Sequence, residues 1–151
     1  MNKEEIYQQL ASMWDISMPF NQLLGFKITR FDPQRSEVSF KWDDKLIGNH
    51  MQKILHGGVT AAVLDAVGGV VAAANVIATM DDLSPQSLQE NLSKLGTIDL
   101  RTDFLRPGRG EDFVATAYII RSGSKVAVAR MELHNEKGEH IAFGTGTYMV
   151  G

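Results

Sequence analysis

The chain has no cysteine, and only four prolines and two tryptophans among its 151 residues. Without cysteine there can be no disulfide framework, no thiolate nucleophile and no Cys-ligated metal site. Cysteine therefore leaves the compartment unmarked; a reducing cytoplasm fits and is the expected setting. There is no surplus of positive charge either: 15 Lys and Arg face 18 Asp and Glu, a formal net charge of −3. That balance argues against a nucleic-acid surface, which needs a basic stripe or a strongly basic domain. The opening Met1-Asn2-Lys3-Glu4-Glu5 is polar and leads into no apolar run, so it lacks the pattern of a secretory signal.

Long apolar runs are scarce too. The single one is Val59–Ala78, interrupted only by Thr60, Asp65 and Asn75. Its length would permit a membrane span. However, an Asp near the centre of a helix in lipid costs on the order of 3 kcal/mol. A run of Ala, Gly and Val reads better as a helix buried on every side, and no membrane partner is expected.

What is present is one domain, residues 1–151, with 44% apolar and 22% charged residues. A chain of this size buries about 70% of its unfolded surface and needs no staples. Residues 2–15 predict an amphipathic helix, part of an N-terminal helical segment 1–18. Asn2 and Glu5 have capping-box spacing, and Ile6, Leu10, Met13 and Trp14 form its stripe. Pro19 is expected to end it. Gly25–Thr29 and Glu37–Trp42 read as strands around an Asp32-Pro33-Gln34-Arg35 turn, and Asp43–Leu55 as a loop. A long helix covers about residues 56–80, and the polar stretch 81–96 reads as an insert or lid.

Four strands follow: Thr97–Leu105, Phe113–Arg121, Lys125–Asn135 and Ile141–Val150. The class is α+β, one curved antiparallel sheet wrapping a helix that is apolar all round, with mostly hairpin-like pairings.

Three blocks carry a resemblance. Leu55-His56-Gly57-Gly58-Val59-Thr60-Ala61-Ala62-Val63-Leu64-Asp65 resembles the helix signature of hotdog-fold thioesterases, in the phenylacetate-degradation (PaaI-like) branch. Asp99–Gly108 resembles that branch's strand ending in a Pro turn, and Gly138–Tyr148 resembles its closing strand. The resemblance spans roughly residues 20–151. It implies hydrolysis of acyl-CoA thioesters by homodimers or homotetramers, in fatty acid metabolism, with no cofactor and no metal.

The residues themselves point the same way. Gly57 and Gly58 open the helix, where backbone N–H groups have no intrahelical acceptor. With no Cβ they let a carbonyl come close, and the helix dipole favours negative charge there. Such donors hold a developing oxyanion, each worth about 3–4 kcal/mol in measured cases. Asp65, the one carboxylate of the run, is the candidate general base or nucleophile. Seven residues separate Gly58 from Asp65, about 10.5 Å along a helix. One chain can hardly bring both to a single carbonyl, so a dimer with two shared sites is expected.

His56 precedes the glycine pair and is expected to orient it more than to take part in the reaction. The resemblance implies an Asn six residues before His56. His50 occupies that position with Asn49 beside it, so both are candidates, Asn49 for the carbonyl or water and His50 for substrate. Thr97 aligns with a family Ser/Thr that orients water. Residues 101–130 carry 6 Lys and Arg against 3 Asp and Glu. Within them Arg106, Arg109, Arg121 and Lys125, with the Gly123 and Ser124 amides, are candidates for the CoA phosphates. Arg101 and Arg130 lie within strands and are expected to form surface pairs.

An apolar tunnel lined by Met51, Ile54, Leu55 and Met80 would suit medium or long acyl chains. His134 and His140 face each other across the last hairpin, but two His alone are a weak metal site. A hotdog hydratase or dehydratase would need a His/Glu or Asp/His pair in another motif, which is not found. A non-catalytic acyl-CoA sensor is the alternative from another class.

Overall fold

The structure is a computed structural model describing all residues 1–151. Helix α1 covers Lys3–Ser17. Its capping box forms as expected: the Asn2 side chain accepts from the Glu5 N–H at 2.8 Å, and Glu5 accepts from the Asn2 N–H at 3.2 Å. Ile6 and Tyr7 are buried, with Leu10 and Trp14 packed against the core. Met13 does not join the stripe and is 55% exposed, because Tyr7 takes the inward position and stacks on Phe31 at 5.6 Å. As expected, α1 does not run past Pro19, but a second helix follows at once. Met18 breaks α1 in an extended conformation, and Pro19 then opens helix α2, Pro19–Leu24. There its fixed φ and missing N–H cost nothing.

Strands β1 (Lys27–Arg30) and β2 (Ser36–Lys41) form the expected hairpin. Residues 43–55 are more ordered than their weak periodicity suggests. A 3-10 turn, Asp44–Leu46, leads into a small separate hairpin of β3 (Ile47–Asn49) and β4 (Gln52–Leu55). Strands this short carry too little alternation to register in sequence. Gly48 lets the hairpin press on the next helix, since a Cβ there would sit 2.4 Å from the His56 Cα.

Helix α3, Gly57–Ala78, is the centre of the molecule. The stretch 81–96 contains a helix of its own, α4 (Pro85–Leu92), capped by Ser84. Strands β5 (Gly96–Phe104), β6 (Asp112–Ser122), β7 (Val126–Asn135) and β8 (His140–Met149) complete the chain. The main sheet has the order β1-β2-β6-β7-β8-β5, antiparallel throughout. Three of its neighbouring pairs are hairpins, whereas β2–β6 and β5–β8 are joined by crossovers.

The sheet wraps α3 with a face rich in small residues. Ala115, Ala117, Ala127 and Ala129 are buried and let the helix lie close, while Phe113, Met131 and Leu133 fill the space beyond them. Helix α3 is long and apolar enough to cross a membrane by length and composition, and the sheet buries much of it within this chain.

Candidate active site

Asp65 sits half-buried in the second turn-pair of α3 and faces β5 and β8. Thr97 Oγ1 donates to Asp65 Oδ1 at 2.8 Å, and Tyr148 Oη lies 3.2 Å from the same oxygen and from the Asp65 carbonyl. Asp65 Oδ2 has no partner within the chain. Burial, reinforced by the Asp65 charge, pushes the Tyr148 hydroxyl far above the ordinary tyrosine value, so it stays a proton donor.

A cavity of about 390 Å³ opens beside Asp65. One wall is the small-residue face of α3, with Ala62, Ala66, Gly69 and Ala72. Trp14, Met18 and Phe20 from α1 and α2 form a second wall, and Leu92 and Leu95 at the end of α4 a third. The cavity is mostly apolar, with the carboxylate, Thr97 and Tyr148 at one side.

At the start of α3, His56 acts as the N-cap: its Nδ1 accepts from the Gly58 N–H at 2.8 Å. An accepting Nδ1 puts the ring proton on Nε2. The Gly57 N–H has no acceptor in the chain, and both glycines are exposed. The Phe104 ring lies 3.5 Å from where a Gly57 Cβ would be, so the end of β5 borders the helix start.

The thioesterase superfamily model matches residues 52–142, which include both the helix start and Asp65. The chain belongs to the thioesterase superfamily. It has the hotdog fold, in which the curved antiparallel sheet holds the long central helix. A curated relative, the medium/long-chain acyl-CoA thioesterase YigI of Escherichia coli K12, is 44% identical over 151 residues, covering 100% of this chain and 97% of that protein. A crystal structure of a thioesterase-superfamily protein from Shewanella oneidensis is 54% identical, with TM-score 0.94, covering 99% of this chain and 97% of that one. The PaaI protein of the E. coli phenylacetic acid degradation operon shares the fold at 19% identity and TM-score 0.77, covering 99% of this chain and 95% of its own.

Against this hotdog frame, the structure brings Thr97 to Asp65 but divides the other candidates. Of the two helix-start amides, Gly58's is engaged by His56, which leaves Gly57's as the available donor. Asn49 and His50 stand at the tip of the β3–β4 hairpin, where Asn49 Oδ1 accepts from the Met51 N–H at 2.8 Å and His50 is exposed. Arg106 and Arg109 lie in the turn beside the helix start, Arg106 donating to the His140 carbonyl at 2.9 Å and Arg109 to Gln52. Gly123 and Ser124 instead line a cavity of about 240 Å³ with Asn75, Thr79 and Met80, near the other end of α3, and Arg121 and Lys125 flank them in the same hairpin. The Gly123 N–H is taken by the Val126 carbonyl at 2.9 Å. Within one chain the basic segment therefore divides between the two ends of the central helix.

The expected tunnel does not form. Met51 is 90% exposed at the hairpin tip, Leu55 is buried beneath Gly108, and Met80 lies beyond the far end of α3. The lining from α1, α2 and α4 escaped sequence reasoning because nothing local marks which apolar residue of a short helix meets a remote cavity. Tyr148 escaped it too, although Gly68 inside α3 was a signal. A mid-helix Gly costs about 1 kcal/mol against Ala and calls for a packing reason.

Arg101 pairs with Asp103 at 3.3 Å as expected, but Arg130 lies over the Phe143 ring at 4.1 Å and donates to Thr145. His134 and His140 do face each other, and Glu132 adds a third potential ligand within 4.8 Å. Their imidazoles stack at 4.5 Å and 9° from parallel. A metal lies in the plane of each imidazole that binds it, so two parallel rings cannot aim at one ion unless one turns.

Proposed function

We propose that the protein hydrolyses acyl-CoA thioesters to the free acid and CoA, with medium or long acyl chains as substrates. One observation carries this reading: a carboxylate held by two hydroxyls, with one oxygen free, stands beside an apolar cavity. At roughly 30 Å³ for each water-sized group, a space of about 390 Å³ has room for on the order of a dozen methylenes. The name of the E. coli relative, a medium/long-chain acyl-CoA thioesterase, supports the same substrate class.

In this mechanism the acyl tail lies in the cavity and the thioester carbonyl accepts from the Gly57 N–H, aided by the helix dipole. Water adds to the carbonyl carbon while Asp65 Oδ2 takes its proton, and the C–S bond breaks as that proton passes to the sulfur, which leaves as the CoA thiol. Alternatively the carboxylate adds to the carbonyl carbon, the C–S bond breaks as CoA leaves and a mixed anhydride forms, and water then hydrolyses the anhydride to the free acid and Asp65. His56 fixes the helix start by holding the Gly58 N–H, and Asn49 or His50 at the hairpin tip reaches the carbonyl or substrate. Arg106 and Arg109 attract the CoA phosphates, with Arg121, Lys125 and the Ser124 amide as further contacts. The setting is the cytoplasm.

Gly57 and Asp65 are eight residues apart on one helix, about 12 Å. The working unit is therefore a homodimer in which Gly57 of one protomer serves the Asp65 of its partner, and two such dimers form a tetramer.

Subunit mixing tests this. Gly57→Pro removes one N–H at the first helical position, where Pro is tolerated. The extended His56 (φ −59, ψ 136) suits a following proline. Asp65→Ala and Gly57→Pro should each be inactive in free-thiol release from acyl-CoA. Mixed equally under subunit exchange, half the dimers are hybrids with one intact site, so about one quarter of wild-type activity should return. No recovery with exchange demonstrated refutes the shared site. Tight acyl-CoA binding by the wild type with no thiol release would favour the sensor instead.

A further inference from the structure

We propose that Tyr148 is a positioning residue for the Asp65 carboxylate, acting with Thr97 to clamp Oδ1 and leave Oδ2 as the reacting oxygen. The inference rests on Asp65 being the catalytic carboxylate. Sheet register is the first support. Thr97 and Tyr148 are direct partners across the β5–β8 pairing, so both side chains leave the same face and stand side by side over α3. The pairing becomes irregular immediately after, between Thr97 and Asp99. Irregularities of this kind re-aim side chains next to active sites.

The second support is the space cleared for the phenol. A Cβ on Gly68 would lie 2.1 Å from Tyr148 Oη, and one on Gly146 would lie 2.7 Å from the same ring. Glycine at both positions, one in a helix interior and one in a strand, weakens each element locally. What the two glycines admit in return is a 2%-exposed ring whose hydroxyl ends on Asp65. A residue that only filled the core would need no hydroxyl there, and a Phe would fit as well.

The third support is the count of donors. A carboxylate free to rotate about its Cβ–Cγ bond exchanges its two oxygens. Thr97 donates to Oδ1 at 2.8 Å, and the single Tyr148 proton, with Oδ1 and the Asp65 carbonyl both 3.2 Å away, is shared between those two acceptors, so the pair of hydroxyls holds Oδ1 in place. Hydrogen bonds to a charged acceptor are the strong ones, so this clamp fixes the orientation at which Oδ2 meets water or substrate.

Tyr148→Phe keeps the ring and removes the clamp. Its kcat should fall about ten-fold, with KM for a long-chain acyl-CoA within about two-fold. A purely structural residue would instead lower thermal stability and leave kcat per folded molecule unchanged. Asp65→Asn is run beside it. If Asp65→Asn retains turnover, the catalytic assignment of Asp65 fails and takes the clamp with it. If Asp65→Asn is dead while Tyr148→Phe turns over within two-fold of wild type, or loses only in KM, the catalytic assignment stands and the clamp is wrong. Gly68→Ala offers a second route, because it displaces the phenol while leaving Tyr148 in the sequence. Combined with Tyr148→Phe it should lose no more kcat than either alone, and additive losses overturn the proposal.

Discussion

Asp65→Asn is expected to lower acyl-CoA turnover by roughly 10²–10⁴-fold, the span associated with removing a positioned general base. The substitution suits the question because it changes little else. Asparagine has nearly the same shape, and its amide oxygen can still accept from Thr97 and Tyr148, which hold Oδ1 in the native chain. The variant should therefore fold and bind acyl-CoA with KM nearly unchanged, the whole loss falling on kcat. Free-thiol release under saturating substrate measures kcat, and calorimetric titration with the same acyl-CoA measures binding. A variant that keeps more than a tenth of wild-type kcat would show that Asp65 is a structural acid, held by its two hydroxyls as buried polar groups usually are.

The parts of the fold that could be read in the sequence are those whose signal is local and repeated. The α1 capping box needs two residues three apart, Asn2 and Glu5, and it forms. The apolar run after His56 reads as a buried helix, and α3 is one along the face that meets the sheet, while its Ala62, Ala66 and Gly69 face opens onto the cavity instead of being covered. Strands β6 to β8 show their buried alternation in sequence because one face meets the helix. What was not legible depends on partners far along the chain. Tyr148 meets Asp65 across 83 residues, through a register that no window contains. Pro19 looks like a helix breaker and is one for α1, but the same locked φ starts α2. Met51 and Met80 are apolar enough to line a tunnel, yet one caps an exposed hairpin and the other closes the far end of the core.

The same contrast applies to the site. Gly57, Gly58 and Asp65 share one helix, so their spacing alone places the amides and the carboxylate of one chain about 12 Å apart. Which of the two amides remains available is settled by His56, whose ring takes the Gly58 N–H. That preference follows from capping geometry, which leaves the first helical N–H pointing outward.

The largest change in specificity should come from the cavity wall. Gly69 lines the cavity on α3, and a Cβ built there meets nothing within 4 Å. Gly69→Leu therefore places a four-carbon side chain into the space without displacing the core, and it improves helix propensity. The acyl chain loses the volume of about four methylenes. At about 0.8 kcal/mol for each buried methylene that is roughly 3 kcal/mol, or about two orders of magnitude in kcat/KM. A short acyl group does not reach that depth and forfeits little of this. The ratio of kcat/KM for a twelve- to sixteen-carbon acyl-CoA over a four-carbon one should thus fall about 100-fold in Gly69→Leu. The measurement separates two accounts of the cavity. If the tail runs between α3, the α1–α2 corner and α4, the ratio collapses while the melting temperature holds or rises. If the tail runs elsewhere, filling this space leaves the ratio where it was, and the wall formed by Trp14, Phe20 and Leu92 has no part in choosing the substrate.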